Sequence, residues 1–181
     1  SLSISIAGKA AITDTLSLGA GTDTIILTDT HDVLALHDSF SNQHGRSADK
    51  ITDEFGYSSS ARIKDVETIF AGHGDDLIDL TSASFSLEND ITVHGEAGDD
   101  VIWGSARNDT IMGGPGSDTI FSGAGDDILT GGIGADIFQF TASSGKNVIT
   151  DFKVITTTKD KIELSYRDGD STKLSDLSYD N

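Results

Sequence analysis

The chain of 181 residues carries thirty acidic side chains against twelve basic ones, and its formal net charge is −18. This charge disfavours nucleic acid as a partner, because the phosphate backbone carries the same sign. The chain has no cysteine, and no apolar run is long enough to cross a bilayer, so we expect no disulfides and no membrane insertion by this segment. It begins without methionine, and we expect it to be a piece of a longer protein.

The first 40 residues contain a weak repeat of nine residues. Asp14, Asp23 and Asp32 are nine residues apart, and each is followed two residues later by an apolar side chain. Only the middle unit, with the sequence LGAGTDTII, also has turn glycines. We interpret residues 1–40 as degenerate rungs of a β-roll that keep its shape without binding metal, with at most one good half-site.

Residues 41–62 form a polar stretch without this period, and we predict a loop or an insertion there. The period returns in the segment VETIFAGHGDDLID. Asp76 and Asp100 are 24 residues apart, six more than two units, so we expect six residues to be looped out around SASFSLEND. Val93 then lies nine residues before Ile102, which predicts that its strand rejoins the stack.

Residues 95–139 are five consecutive units of nine residues: GEAGDDVIW, GSARNDTIM, GGPGSDTIF, SGAGDDILT and GGIGADIFQ. The sixth residue of every unit is aspartate, and the eighth is large and apolar, being Ile102, Ile111, Ile120, Leu129 and Phe138. Because side chains alternate between the two faces of a strand, the eighth residue points into a core. Each unit then forms one strand and one glycine turn, and two units form one coil. We predict an all-β solenoid of parallel strands over residues 63–140.

Stacking of coils places the aspartates of alternate units on two opposite edges. Asp100, Asp118 and Asp136 share one edge, and Asp109 and Asp127 share the other. Carboxylates one strand spacing apart, roughly 4.8 Å, repel each other strongly unless a cation lies between them. Calcium fits this role, because it takes about six to eight oxygen ligands from carboxylates and backbone carbonyls. Glycine can adopt positive φ and turn a peptide oxygen towards a shared ion.

We therefore predict at least three calcium ions, in sites that bridge Asp100 with Asp118, Asp118 with Asp136, and Asp109 with Asp127. The predicted metal site consists of Asp76, Asp100, Asp109, Asp118, Asp127 and Asp136, with turns at Gly72, Gly74, Gly95, Gly98, Gly104, Gly113, Gly116, Gly123, Gly125, Gly131 and Gly134. We interpret Asp75, Asp99 and Asp126, at the fifth place, as turn-stabilising and surface charges, with ligation of the ion as the alternative. One apolar side chain per unit does not offset the entropy of ordering nine residues, so we expect the repeats not to fold without metal.

Residues 141–181 follow the repeats and are poorer in glycine. The segments NVITDF and DKIELS alternate apolar with polar residues, as strands that cap a solenoid do. The last residues, RDGDSTKLSDLSYDN, are polar. We predict carboxyl-terminal capping strands and a frayed tail.

The nonapeptides of residues 95–139 and the segment 66–79 resemble the repeats-in-toxin (RTX) family, whose pattern G-G-x-G-x-D-x-U-x is typical of calcium-binding parallel β-helices. The resemblance implies a parallel β-roll near the carboxyl end of a protein exported by type I secretion. It implies a chain that is disordered at cytosolic calcium and folds outside the cell. The implied partners are calcium ions, the type I secretion machinery and other domains of the parent protein.

The segments NVITDF and DKIELS resemble the closing strands that follow such rolls. The usual glycine between them is replaced by KVITTT, so a calcium site at Asp151 or Asp160 does not follow from the resemblance. The combination of DSFSNQHGRSADK, DVETIFAGHGDDLIDLTS and the tandem repeats is similar to the carboxyl-terminal region of giant RTX adhesins of the biofilm or ice-binding type. This likeness implies a role in cell adhesion and a secreted or extracellular, cell-surface location.

The sequence contains neither the HExxH zinc motif nor the GxSxG serine motif, and we expect no enzymatic activity. Two alternatives to the adhesin folding module remain open. One is a module that binds ice, a glycan or a host surface directly, for which a threonine array is a candidate surface: Thr15, Thr24, Thr110 and Thr119, interrupted by Val101, Ile128 and Ile137. The other is the β-roll tail of a secreted hydrolase.

Overall fold

A computed structural model describes residues 3–5, 16–17, 20–35, 63–81, 87–141, 143–154 and 157–165. These ranges contain fifteen strands and no helix. In chain order the strands are β1 (Ser3–Ser5), β2 (Leu16–Ser17), β3 (Thr24–Ile26), β4 (Val33–Ala35), β5 (Ile63–Lys64), β6 (Thr68–His73), β7 (Leu77–Asp79), β8 (Thr92–Ala97), β9 (Val101–Trp103), β10 (Thr110–Pro115), β11 (Thr119–Phe121), β12 (Ile128–Ile133), β13 (Ile137–Thr141), β14 (Val148–Ile149) and β15 (Lys161–Ser165). Within these ranges no helix is long and apolar enough to cross a membrane.

The described strands form two large sheets and one small one. The seven-stranded sheet has the order β1-β3-β6-β8-β10-β12-β14, and the six-stranded sheet has the order β15-β13-β11-β9-β7-β4. Strands β2 and β5 pair separately. Neighbouring strands in the large sheets are parallel, and from β6 to β13 successive strands alternate between the two sheets. One coil therefore consists of one strand from each sheet, and the predicted all-β parallel β-roll is confirmed.

The strand register confirms the length of the coil and the position of the interruption. Ile111 pairs with Val93 on one side and with Leu129 on the other, each eighteen residues away. The strand that carries Val93 has therefore rejoined the stack, as predicted. Thr68 pairs with Thr92, 24 residues away, so this coil contains the six extra residues.

The amino-terminal rungs stack on the same roll across a much longer interruption. Val33 pairs with Leu77, 44 residues away, and β3 pairs with β6 in the same register. The polar stretch predicted at residues 41–62 lies outside the described residues. The rung predicted at Asp14 and the tail over residues 166–181 also lie outside them.

Most of the core consists of two columns of apolar side chains, one from each large sheet. The seven-stranded sheet contributes Ile25, Ile69, Val93, Ile111 and Leu129, and the six-stranded sheet contributes Leu34, Ile78, Ile102, Ile120 and Phe138. Each of these side chains is at most 4% exposed. The five residues predicted to point inward are all fully buried. A whole coil thus places only two such residues in the columns, so the edges of the roll need another source of stability.

Candidate calcium sites

The residue that precedes each strand of the six-stranded sheet is an aspartate. We call this column the long ladder: Asp32, Asp76, Asp100, Asp118, Asp136 and Asp160. All six are buried, the most exposed at 9%. The backbone amide of each one donates a hydrogen bond to carboxylate Oδ1 of the next, over 2.6 to 3.1 Å. The carboxylates therefore form one continuous column along an edge of the roll.

The second carboxylate oxygen of most ladder residues has no hydrogen-bond donor. Oδ2 is buried and accepts no hydrogen bond in Asp76, Asp100, Asp118 and Asp136, and Oδ1 is in the same state in Asp32. A buried carboxylate oxygen without a partner is costly, because it has lost its hydration without compensation. Five such oxygens lie in one column. No hydrogen bond compensates for their lost hydration, and bound cations would.

The turns before Asp100 and Asp118 leave room beside this oxygen. A Cβ atom added to Gly113 would lie 2.2 Å from Oδ2 of Asp118 and 2.7 Å from the carbonyl oxygen of Gly131. A Cβ atom added to Gly95 would lie 2.5 Å from Oδ2 of Asp100 and 2.5 Å from the carbonyl oxygen of Gly113. In both turns, a carboxylate oxygen and a carbonyl oxygen from the next coil therefore face the small space that a Cβ atom would occupy. Calcium binds such oxygens at about 2.3 to 2.6 Å, and these residues fit it.

The turn glycines serve two different purposes. Gly72, Gly74, Gly98, Gly116, Gly123, Gly125 and Gly134 have positive φ, for example 123° at Gly125, which disfavours other residues. Gly95, Gly104, Gly113 and Gly131 do not. Positive φ therefore does not explain the glycine at these four positions, which open their units. They are needed because a Cβ atom would collide with a carboxylate or a carbonyl oxygen.

The opposite edge carries a shorter column. Asp109 and Asp127, which we call the short ladder, are consecutive, and the amide of Asp109 donates to Oδ1 of Asp127 over 2.9 Å. Ile91 precedes them in the column, and Asn147 follows, with its side-chain oxygen accepting the Asp127 amide over 2.8 Å. Oδ2 of Asp127 is buried and accepts no hydrogen bond, whereas Oδ2 of Asp109 accepts the amide and the hydroxyl of Ser105. This edge therefore has room for one bridging ion between two carboxylates.

The short ladder repeats the arrangement of the long one. A Cβ atom added to Gly104 would lie 2.1 Å from the carbonyl oxygen of Ser122 and 3.2 Å from Oδ2 of Asp109. The structure thus brings together the carboxylates of all three predicted pairs. Within the described ranges no three His, Asp, Glu or Cys side chains are arranged to hold a metal ion by themselves, so backbone carbonyls must complete each site.

The aspartates at the fifth place of the units are exposed and form hydrogen bonds between coils. Oδ1 of Asp75 accepts the amide of Asp99 over 2.9 Å, and Oδ1 of Asp99 accepts the amide of Ser117 over 2.8 Å. Oδ1 of Asp126 accepts the amide of Lys146 over 2.8 Å. These contacts support the turn-stabilising interpretation and make the three residues useful controls for the buried aspartates.

Burial raises the pKa of the ladder carboxyls. For Asp100 burial is the largest cause, and with the like charges of Asp118 and Asp76 it raises the pKa from 3.8 to about 8, against the lowering effect of the Asp76 amide. Burial is also the first cause in the others, where the pKa rises to about 7 in Asp118 and Asp127, to about 6 in Asp76, and upward in Asp109 and Asp136. Below about pH 7 the calcium-free roll therefore holds protons on these carboxyls, and calcium has to displace them in order to bind.

Without calcium, the roll is expected to gain β structure as the pH falls from about 8 to about 5. The folded state binds more protons than the unfolded chain over this range, because its carboxyl pKa values lie above 3.8. This stabilisation is complete below the unfolded pKa and is lost as the pH rises through the folded values of about 7 to about 8. Circular dichroism of the calcium-stripped chain measures the effect, and Asp118→Asn should make it weaker. A β signal that decreases on acidification would contradict the assignment.

Two ladder residues were not among the predicted ligands. Asp32 lies at the amino end of the column, where its Oδ2 accepts the amide and hydroxyl of Thr28, and Asp160 lies at the carboxyl end. Both stand two residues before an inward-facing apolar residue, which is the signal that the tandem units also show. The predicted ligand Asp76 has Ala71 five residues before it, where the later turns of this edge have glycine, so its turn offers less room.

The model of the family described as RTX calcium-binding nonapeptide repeat (4 copies) matches residues 13–34, 92–106 and 103–138. These ranges include the short ladder and four members of the long ladder. Comparison with curated proteins gave no match, and neither did comparison with solved structures.

Proposed function

We propose that this chain, whose nonapeptides are RTX calcium-binding repeats, is the calcium-dependent folding module of a secreted adhesin. In this proposal the module is disordered at the low calcium of the cytosol and passes through a type I secretion channel in that state. Calcium outside the cell folds it, next to the other domains of the parent protein at the cell surface. The role is structural and involves no catalysis.

The long ladder is the observation that carries this proposal. Buried carboxylates with orphaned oxygens are stacked one coil apart, beside two core columns that receive one apolar side chain each per coil. Like charges at this spacing oppose folding, and a divalent cation converts the same column into a source of stability. Calcium modules of extracellular proteins bind with dissociation constants on the order of 10⁻⁴ to 10⁻³ M. Such sites are empty at the low calcium concentration of the cytosol and are filled outside the cell.

The charge of the chain supports the proposed unfolded state during export. Residues 66–140 contain fourteen acidic side chains, and Arg107 is the single lysine or arginine among them. Without bound cations the negative charges of this segment repel each other, which favours an extended chain. An extended acidic chain is suited to threading through a narrow channel.

An export assay with matched triple variants tests the proposal. The chain is joined to a type I secretion signal and expressed with the corresponding transporter, in medium with millimolar calcium or with chelator. We expect export in both media, but resistance to protease only with calcium. The ladder variant D100N/D118N/D136N should reach the medium and stay protease-sensitive with calcium, because three buried oxygens lose their charge.

The control variant D75N/D99N/D126N removes the same charge from exposed positions and should become protease-resistant like the parent chain. Equal protease resistance of the two triple variants in calcium would contradict the proposed switch. Resistance of the parent chain in chelator would contradict it as well.

A module that binds ice directly is the second candidate, and one observation favours it. Thr24, Thr68, Thr92 and Thr110 pair successively across four strands of the seven-stranded sheet. Ile128 continues this column and ends the run of threonines. A calcium-loaded sample that shapes ice crystals would support this function, and the adhesin folding module should leave ice growth unchanged.

A further inference from the structure

The carboxyl end of the long ladder contains a lysine among its carboxylates. The ammonium nitrogen of Lys153 lies 3.8 Å from Oδ2 of Asp136, 4.0 Å from Oδ2 of Asp160 and 4.0 Å from Oδ2 of Asp151. It also donates a hydrogen bond to the carbonyl oxygen of Gly132. Asp136 and Asp160 have no exposed side-chain surface, and 28% of the Lys153 side chain is exposed. Three carboxylates and one carbonyl therefore surround a single positive charge.

The place of this charge in the ladder is equivalent to the proposed ion sites of the earlier coils. Asp136 and Asp160 are consecutive ladder members, joined by the hydrogen bond from the Asp136 amide to Oδ1 of Asp160 at 3.1 Å. The orphaned oxygen of Asp136 faces the ammonium, as the equivalent oxygens of Asp100 and Asp118 face the space beside a glycine. In the part of the chain that the structure describes, no lysine or arginine lies within 4 Å of those two carboxylates.

The backbone around Lys153 fixes the ammonium in this position. The amide of Lys153 donates to Oδ2 of Asp160 over 2.7 Å, so the same residue holds the carboxylate through its main chain. The carboxylate of Asp151 accepts the amides of Gly131 and Gly132 over 2.9 and 2.8 Å. An ammonium group has three hydrogen-bond donors, and here they face four oxygens. These are carboxylate and carbonyl oxygens, the same kinds that face the space beside Gly95 and Gly113 and that calcium binds.

We propose that the ammonium group of Lys153 replaces a calcium ion between Asp136 and Asp160, so that the ladder of ions stops at this rung. This inference rests on the proposed loading of the earlier rungs with calcium. The tethered charge neutralises part of the last cluster at any calcium concentration. The cap therefore takes up no calcium of its own, while the rung between Asp118 and Asp136 takes up the last ion of the column.

Calcium counting by titration calorimetry tests this assignment. The variant Lys153→Met removes the charge and keeps most of the length of the unbranched side chain, and it should bind one calcium ion more than the parent chain. Lys153→Arg keeps a positive charge and should bind the same number as the parent. Lys159→Met removes an exposed lysine of the same segment and should also leave the number unchanged.

A crystal structure of the Lys153→Met variant with calcium provides the second measurement. It should show an ion bound between Asp136 and Asp160, and the parent chain should show the lysine there. An unchanged ion count in Lys153→Met, or failure of that variant to fold in millimolar calcium, would overturn the proposal. A parent chain that binds no calcium would instead refute the proposed function, so the two failures are distinguishable.

Discussion

In calcium-free buffer at neutral or higher pH, the repeats over residues 66–140 are expected to lose most of their β circular dichroism, and millimolar calcium should restore it. The reason is that apolar burial in the core does not offset the repulsion between carboxylates at the edges of the roll. Each coil buries two apolar residues of the core columns and also stacks carboxylates whose second oxygens have no hydrogen-bond donor. Removing the cation leaves this repulsion without compensation, so the coils should separate together.

Tryptophan fluorescence gives an independent measurement of the same transition. Trp103 is the single tryptophan of the chain, is 2% exposed, and stacks on Phe121 with ring centroids 4.8 Å apart. These rings come from neighbouring coils, so the contact exists only when the coils stack. We expect the emission to shift to shorter wavelength as calcium is added, with the same midpoint as the circular dichroism signal.

Magnesium is the control cation for this experiment. It requires near-ideal octahedral geometry at about 2.0 to 2.1 Å and retains its water, so it should restore little of the signal at the same concentration. Identical spectra in chelator and in calcium, with Trp103 equally buried in both, would contradict the calcium-dependent fold.

The five tandem units contain enough local information to predict the coil. A glycine turn, one aspartate and one inward-facing residue recur every nine residues, and this period leaves one way of stacking that buries Ile111 and Leu129 in the same column. The interruption before Val93 did not obscure the stack, because Val93 keeps its distance of nine residues from Ile102. The structure agrees with each of these predictions.

The ladder neighbours of Asp32 and Asp160, at the two ends of the long ladder, could not be predicted from the nine-residue period. Asp32 and Asp76 are 44 residues apart, and Asp136 and Asp160 are 24 residues apart, so a count of nine no longer identifies the neighbour. Pairing across such loops depends on which strand edge is open and on long-range contacts, such as Leu34 beside Ile78. The nine-residue period does not identify these contacts, because long loops interrupt it between the paired strands.

The two edges also differ in a way that the period does not show. Ile91 and Asn147 flank the short ladder, because the units that carry them are not tandem nonapeptides. Ser105 replaces the second glycine of its unit and donates to the carboxylate of Asp109. The same register thus produces an unbroken column of aspartates on one edge, whereas on the other edge Ile91 separates the acidic pair Asp23 and Glu67 from the short ladder. Most ions should therefore bind to the long ladder.

The sharpest test of the long ladder compares Asp118→Asn with Asp99→Asn. We expect Asp118→Asn to raise the calcium midpoint at least about tenfold, equivalent to about 1.4 kcal/mol, and to make the titration less steep. Asp118 lies between two rungs, with Asp100 on one side and Asp136 on the other, so one substitution weakens two neighbouring sites. Asp99→Asn should shift the midpoint by less than about twofold, as expected for an exposed charge.

The two variants are matched in the carboxylate that they remove and in the hydrogen bond between coils that they keep. Each removes one negative charge, and in each case Oδ1 accepts an amide from a neighbouring coil, Asp100 for Asp118 and Ser117 for Asp99. Asparagine keeps that acceptor, so the bonds between coils survive in both variants. Oδ2 of Asp118 is buried beside the carbonyl of Gly131, whereas Asp99 is exposed. A larger shift for Asp118→Asn therefore identifies this oxygen as a calcium ligand, and equal shifts would show that only the total charge of the edge matters.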